Sequence, residues 1–302
     1  MKIKLAIVFN AVLSCACFAQ GNAALDAFKE IVAKRQVAFE ALHSYKTKCQ
    51  FEVAISEDYA KLNGSAREGR KTLDFTAVGE RMKMVEDIID SRNDVIASST
   101  YYLDPLSVTV VHGGSVRLAT IFPLAKGPNY GIFDAPVFLE YSFLGVDIGE
   151  WGAPALRVSD LVQKEKWMSP MSSIKDVSFG QDGALSVSFQ GPRGASSVEF
   201  APRENKQFDV KKINFYHADG QLDRSIEVLG WVDDKALGRI ANECKISVCC
   251  SNPGAPPSAV WHYKITDLQF NVRVKPAEIE FDSASVNTIV DDANNETIPV
   301  PK

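Results

Sequence analysis

The chain has 302 residues, is 46% hydrophobic and 24% charged, and carries a net charge of −5 at pH 7. These values are typical of a globular protein and exclude a mostly disordered chain, a coiled coil or a collagen-like repeat. The negative charge gives no general attraction to phosphate backbones or anionic lipid surfaces, so the sequence predicts no nucleic-acid partner.

The first 19 residues are typical of a secretory signal peptide. Lys2 and Lys4 precede an apolar run from Leu5 to Leu13, and the small residue Ala19 stands where a peptidase would cut. The alternative is lipoprotein processing, with Cys15 as the lipidated residue. The apolar run is shorter than the roughly 20 residues of a membrane span, and no later run reaches that length. The sequence therefore predicts an exported protein, periplasmic or extracellular, with no transmembrane span.

The next segment predicts an amphipathic helix, because apolar residues recur at helical spacing from Leu25 to Leu42 with charges largely opposite. From Tyr45 to Ile55 the period changes to two, which predicts a long strand with one wet face. Further strands are predicted at residues 73–77, 82–84, 107–111, 116–122, 176–179, 185–189, 198–200, 208–217 and 222–232. Turn signals such as Gly113-Gly114 separate these runs, and hairpins of this kind build an antiparallel sheet.

Two Asp-Gly pairs, at Asp182-Gly183 and Asp219-Gly220, favour primed turns. The last predicted strand, residues 261–274, changes its apolar phase at Thr266-Asp267, and a similar change occurs at Lys211-Lys212. Such changes indicate bulges, which suit a strongly curved sheet. The alternative is a sandwich whose strands change sheets at these points.

The remaining segments are less regular. Short helices are predicted within residues 134–144 and 160–167, where they could lie across the concave face of the sheet. We interpret residues 20–290 as a single domain in which Lys235–Ser258 is a disulfide-containing loop insertion. Residues 291–302 are acidic and contain proline, which predicts a mobile tail.

Four cysteines follow the signal peptide, and an even number in an exported chain predicts two disulfides. They are Cys49, Cys244, Cys249 and Cys250. Adjacent cysteines are poorly placed to bridge each other, which leaves Cys49 joined to Cys249 or Cys250 and Cys244 joined to the other. A zinc site formed by Cys244, Cys249, Cys250 and His262 would lack the usual C-x-x-C spacing, so no metal is predicted.

Catalytic motifs are missing from the sequence. It contains no H-E-x-x-H, G-x-S-x-G, Walker or G-x-G-x-x-G pattern. The four histidines, His43, His112, His217 and His262, are scattered along the chain. The sequence therefore predicts no catalytic residue, no cofactor and no enzyme.

Apolar side chains on the predicted strands should point to one side of the sheet. On a curved sheet they would line a concave face, which a ligand or the chain's own helices must fill. The predicted ligand-binding residues on this face are Phe51, Val53, Phe75, Met84, Val110, Phe122, Phe189, Phe215 and Phe270.

The order of these elements resembles that of the periplasmic lipoprotein carriers, the LolA-like half-barrel superfamily. The resemblance spans Ala24 to Asp292: a helix, a long strand that opens with Tyr45-Lys46-Thr47, a helical crossover at Leu161-Val162, and a closing strand Tyr263-Lys264-Ile265-Thr266-Asp267. It implies an incomplete antiparallel barrel, covered by helices, that holds acyl chains in its concave face.

The predicted fold class is therefore mainly β (α+β): a curved antiparallel half-barrel sheet covered by an N-terminal helix and short middle helices. The predicted function is binding or carriage of a hydrophobic ligand, a lipid or lipoprotein acyl chain, without chemistry. The alternative is a structural or partner-binding envelope module with a self-filled core, whose partner would be another envelope protein.

Overall fold

The computed structural model describes residues 23–34, 37, 41–57, 60–61, 68–114, 117–123, 174–191, 194–204, 207–235, 238–248, 257–291, 294 and 296–300. The predicted signal peptide, Cys15, and the helices predicted within residues 134–144 and 160–167 lie outside these residues. In the described part, no helix is long and apolar enough to cross a membrane.

The described residues contain fifteen strands, two α-helices that we label α1 and α2, and a 3-10 helix at Ser283–Ser285. Helix α1 covers residues 23–34, and helix α2 is Pro276–Ile279. The strands are β1 Ser44–Ile55, β2 Glu68–Val78, β3 Arg81–Ile89, β4 Val95–Leu103, β5 Ser107–His112, β6 Leu118–Pro123, β7 Ile174–Phe179, β8 Leu185–Gly191, β9 Gly194–Pro202, β10 Phe208–Tyr216, β11 Leu222–Asp234, β12 Gly238–Val248, β13 Ala259–Phe270, β14 Thr288–Asp291 and β15 Glu296–Pro299.

All fifteen strands belong to one sheet, in the order β15-β14-β6-β5-β4-β3-β2-β1-β13-β12-β11-β10-β9-β8-β7. Strands β1 and β13 form its antiparallel centre, and hairpin-connected strands extend from this pair on both sides. The sheet is antiparallel except where β14 pairs in parallel with β6. The predicted fold class, one large open curved antiparallel sheet with few helices, is confirmed.

Strand β1 shows why the alternating pattern forms a strand with two unlike faces. Tyr45, Thr47, Cys49 and Phe51 are all buried, whereas the residues between them are half-buried or exposed. Since successive side chains on a strand point to opposite sides, one face of β1 belongs to the core and the other meets solvent. We call the core side of the sheet the inner face.

The structure confirms both predicted bulges. Along β1 and β13, Lys48 lies opposite Asp267 and Cys49 opposite Ile265, so Thr266 has no counterpart in β1. Along β9 and β10, Phe200 lies opposite Val210 and Glu199 opposite Lys212, so Lys211 is the extra residue. Each bulge moves the apolar residues that follow it back onto the inner face.

The turn type predicted for the two Asp-Gly pairs is wrong. The loop between β10 and β11 has three residues, with the Gly220 N–H donating to the His217 carbonyl and the His217 N–H donating to the Gln221 carbonyl. Gly220 has a φ of 84° and Gly183 a φ of 78°, but neither preceding aspartate has a positive φ. A three-residue loop places only its last residue in the left-handed region, so glycine is required at one position rather than two.

Two segments expected to lack regular structure contain strands. Within the predicted loop insertion Lys235–Ser258, β12 occupies Gly238–Val248 and pairs with both β11 and β13. Within the tail predicted to be mobile, β15 pairs with β14. The first correction has a clear cause: β12 pairs with β11 across two register shifts, which break the alternation that marks a strand.

The helices lie on opposite sides of the sheet. Helix α1 inserts Phe28 against the rings of Phe189 and Phe200, at centroid distances of 5.9 and 6.0 Å, as the predicted covering helix should. Helix α2 lies against β2 and β3, and Glu278 forms an ion pair there with Lys46, whose strand neighbours on β1 are buried. The C-terminal segment therefore covers part of the outer face.

Candidate functional site

The inner face is an apolar surface in which buried side chains of neighbouring strands lie directly opposite one another. Phe75 lies opposite Thr47 on one side and Met84 on the other, Met84 lies opposite Tyr101, and Tyr101 lies opposite Val110. All five side chains are buried. The pairing register thus converts alternation within single strands into a continuous hydrophobic band.

The nine predicted ligand-binding residues belong to one hydrophobic cluster, but they differ in exposure. Five are buried in the core: Phe51, Phe75, Met84, Val110 and Phe189. Four are half-buried against it: Val53, Phe122, Phe215 and Phe270. The protein itself already covers the first group, so a ligand would have to contact the second group or displace part of the core. Their role in ligand binding stays a prediction.

A charged cluster interrupts the inner face beside Phe51. Lys71 lies opposite Phe51 on β1 and donates from Nζ to Glu86 Oε1 at 2.7 Å. The Tyr101 hydroxyl donates to the other carboxylate oxygen, Oε2, at 3.1 Å, and the Lys71 ammonium lies 4.9 Å from the centre of the Phe51 ring. Lys71 and Glu86 occupy the same phase as Leu73 and Met84, so their charge within an apolar pattern is the signal in the sequence that marks this cluster.

A cavity of about 610 Å³ lies where β1, β2, β3 and β13 come together at one end of the sheet. We call it the mouth cavity; Val53, Gly69, Arg70, Ile89, Val260 and His262 are among its lining residues. A side chain at Gly69 would place its Cβ 3.2 Å from Val53 Cγ1, so glycine keeps this part of the cavity open. The volume lies in the range of small-molecule sites.

A second opening lies beside the bulge in β13. Strands β12 and β13 pair from Val248–Ala259 to Glu243–Lys264 and no further, so they separate beyond that point. A cavity of about 220 Å³ occupies this region, lined by Phe270, Leu268 and Asp267 among others. One predicted ligand-binding residue, Phe270, therefore borders open space.

Two of the four histidines lie beside carboxylates in separate parts of the sheet. His217 lies 3.2 Å from Asp223, and His262 lies 2.9 Å from Glu243. Desolvation raises the pKa of the Glu243 carboxyl, but the His262 hydrogen bond and the charge of Lys264 outweigh it, so the pKa is lowered. Within the described ranges no group of three histidine, cysteine, aspartate or glutamate side chains could hold a metal ion.

Cys49 and Cys244 are buried, and neither is bonded to another cysteine among the described residues. Desolvation raises the pKa of the Cys49 thiol to about 12 and also raises that of Cys244. Cys49 lies six residues along β1 from Ile55, whose level matches the end of β12, a separation of about 20 Å. Cys249 and Cys250 follow that end but lie outside the described residues, so the predicted disulfides stay a prediction.

Comparison with solved structures finds proteins with a limited structural similarity to this chain. A DUF1329 family protein from Desulfovibrio piger is 6% identical, with a TM-score of 0.46 over 88% of this chain and 99% of that one. A LolA superfamily protein from Nitrosomonas europaea is 10% identical, with a TM-score of 0.44 over 85% of this chain and 98% of that one. The likeness is one of architecture, as the sequence resemblance was.

No protein-family model matches the chain. No curated protein matches it either.

Proposed function

We propose that this chain is an exported, non-enzymatic protein that binds the apolar chain of a lipid or lipoprotein at the mouth cavity. The observation that carries the proposal is a cavity of ligand size at one end of the sheet, bordered by the inner-face residue Val53 and by residues of the outer face. Val53, Ile89 and Val260 supply apolar lining, and the polar or charged lining residues are Glu52, Arg70, Asp90, Ser91 and His262. A wall with both kinds of group can contact both the chain and the polar end of an amphiphilic molecule.

Binding at this place requires no rearrangement of the buried core. Half-buried Val53 belongs both to the hydrophobic cluster and to the cavity wall. An apolar chain lying there would contact Val53 at the border of the core, and each methylene it buries would contribute about 0.8 kcal/mol. Release would then need no covalent step, which suits a carrier.

A second candidate function is a partner-binding envelope module. The strand ends on either side of the β3–β4 turn carry exposed apolar side chains: Ile88 of β3 at 42%, and Val95 and Ile96 of β4 at 57% and 65%. Five of the nine predicted ligand-binding residues are also covered by the protein itself. Exposed apolar groups at one edge, together with a filled core, favour contact with another protein.

The test is lipid uptake by the purified full chain. Ala54 is exposed and lines the mouth cavity, so Ala54→Trp should fill the cavity without disturbing the core. We expect the native protein to take up a fluorescent fatty acid and this variant to lose most of that uptake. Native mass spectrometry of the same preparations would record co-purified acyl species.

The matched control is Ser186→Trp, which places the same ring on an exposed position of β8. It should bind as the native chain does. If the native chain takes up no fatty acid and carries no acyl mass, the lipid proposal is wrong and the partner-binding module stands. Equal binding by Ala54→Trp and native chain would place the ligand elsewhere.

A further inference from the structure

A second cavity, of about 180 Å³, lies between helix α1, the β9–β10 turn and the start of β12. We call it the arginine pocket. Ala27 and Ile31 of the helix and Phe208 of β10 form an apolar side, while Arg203, Arg239 and Lys34 bring positive charge. It shares no lining residue with the mouth cavity.

One buried carboxylate holds the two arginines in place. Arg203 Nε lies 3.4 Å and Arg239 Nε 3.3 Å from Asp209 Oδ2, and the Asp209 side chain is only 8% exposed. The Arg239 guanidinium also lies 5.3 Å from the centre of the Trp231 ring. Two guanidinium groups fixed by a carboxylate and a ring are pre-organised, so little entropy is lost when they bind a ligand.

The charges around the pocket do not cancel. Asp209 is one negative charge between two arginines, and Glu30 is already paired with Lys34 at 2.7 Å. The lining therefore carries one more positive than negative charge, on a chain whose net charge is −5. This local excess favours an anionic ligand over a neutral one.

We infer that the arginine pocket binds an organic carboxylate, with its oxygens toward Arg203 and Arg239 and a short apolar chain against Ala27, Ile31 and Phe208. Guanidinium groups match the planar, two-oxygen shape of a carboxylate. A water molecule occupies about 30 Å³ in the liquid, so the pocket holds a group of about six waters' volume. That is room for a carboxylate and a few methylenes, from a free acid or from the end of a longer amphiphile.

Titration calorimetry of the full chain with octanoate, octanol and acetate tests the inference. Octanoate has both charge and chain, octanol lacks the charge, and acetate lacks the chain, so octanoate should bind most tightly. Removing one guanidinium with Arg203→Gln should weaken octanoate binding at least tenfold, equivalent to about 1.4 kcal/mol, because a charge-assisted hydrogen bond is lost. Ala27→Leu should abolish octanoate binding, because the larger side chain fills the apolar side of the pocket. Leucine is a good helix former, so helix α1 should tolerate it.

The control variant is Lys211→Gln, which removes an exposed cation paired with Glu199 on another part of β10. It should bind octanoate as the native chain does, and so should Ala54→Trp. The same titration with palmitate distinguishes the two sources of the carboxylate. Binding of both acids indicates the end of a longer amphiphile, and binding of octanoate alone indicates a short free acid. Equal binding of octanol and octanoate, or no effect of Arg203→Gln, would overturn the inference.

Discussion

Glu86 is a partly buried carboxylate with two hydrogen-bond partners on the inner face. Its side chain is 12% exposed, and it accepts from both Lys71 and Tyr101. Glu86→Gln would leave the half-buried Lys71 ammonium without its counter-charge. We expect the free energy of unfolding in urea to fall by about 1–3 kcal/mol, the cost of an unsatisfied buried polar group.

The control for Glu86 is an exposed ion pair of the same chemistry. Glu57 pairs with Lys61 at 3.0 Å, with side chains 55% and 68% exposed. Glu57→Gln should change stability by less than about 0.5 kcal/mol, because solvent screens such pairs. Similar losses in the two variants would show that burial does not strengthen the Lys71–Glu86 contact.

The two described cysteines should be inert in the folded protein. A thiolate is the reactive form, and with a pKa raised to about 12 the Cys49 thiol is almost wholly protonated at neutral pH. Without reductant, we expect a maleimide to label neither Cys49 nor Cys244 in the native chain and to label both after unfolding in urea. The measurement is peptide mapping by mass spectrometry.

A bridged Cys49 would give a different result. It would stay unlabelled after unfolding and become reactive only after reduction. That outcome would support the predicted disulfide, and it would contradict the strand register that separates Cys49 from the end of β12 by about 20 Å.

At the scale of an element, the bulge at Thr266 decides which residues of β13 face the core. Tyr263 and Ile265 precede it on the inner face, and Leu268 and Phe270 follow it there. Deleting Thr266 would turn one of these pairs toward solvent. Since each such side chain contributes about 1.5–3 kcal/mol when fully buried, we expect a loss of about 3 kcal/mol or more.

The control deletion is Ala218, in the three-residue loop between β10 and β11. Its removal leaves Asp219-Gly220 as a two-residue loop, a favoured hairpin connection. Thermal melts of the two deletion variants should differ clearly, with the Thr266 deletion melting far lower. Equal melting temperatures would mean that the register of β13 tolerates a shift of one residue.

The sequence could predict elements whose signal is local. The alternation in β1 and the phase change at Thr266 are both set by which side chains the core buries, so each is visible in a few consecutive residues. Strand β12 could not be predicted in this way, because its register shifts interrupt that alternation. The four-residue helix α2 is too short to show a helical period.

At the scale of the whole molecule, the sequence could not predict what covers each face. Alternation shows that Phe75 and Val53 lie on the same side, but only the packed structure shows that the first is buried and the second borders a cavity. The parallel pairing of β14 with β6 joins segments about 170 residues apart, and the arginine pocket joins three separate elements. Long-range contacts of this kind leave no local pattern.

The central position of β1 and β13 has a consequence for how the chain acquires its structure. Strand β1 is synthesised first among the described strands, but one of its two neighbours is β13. It cannot complete that pairing until residue 270 has been made. Loops of this length close slowly, and folds dominated by such pairings are slow to form. A nascent chain therefore keeps β1 without its β13 partner until residue 270 has been made, which would suit the export predicted from the first 19 residues.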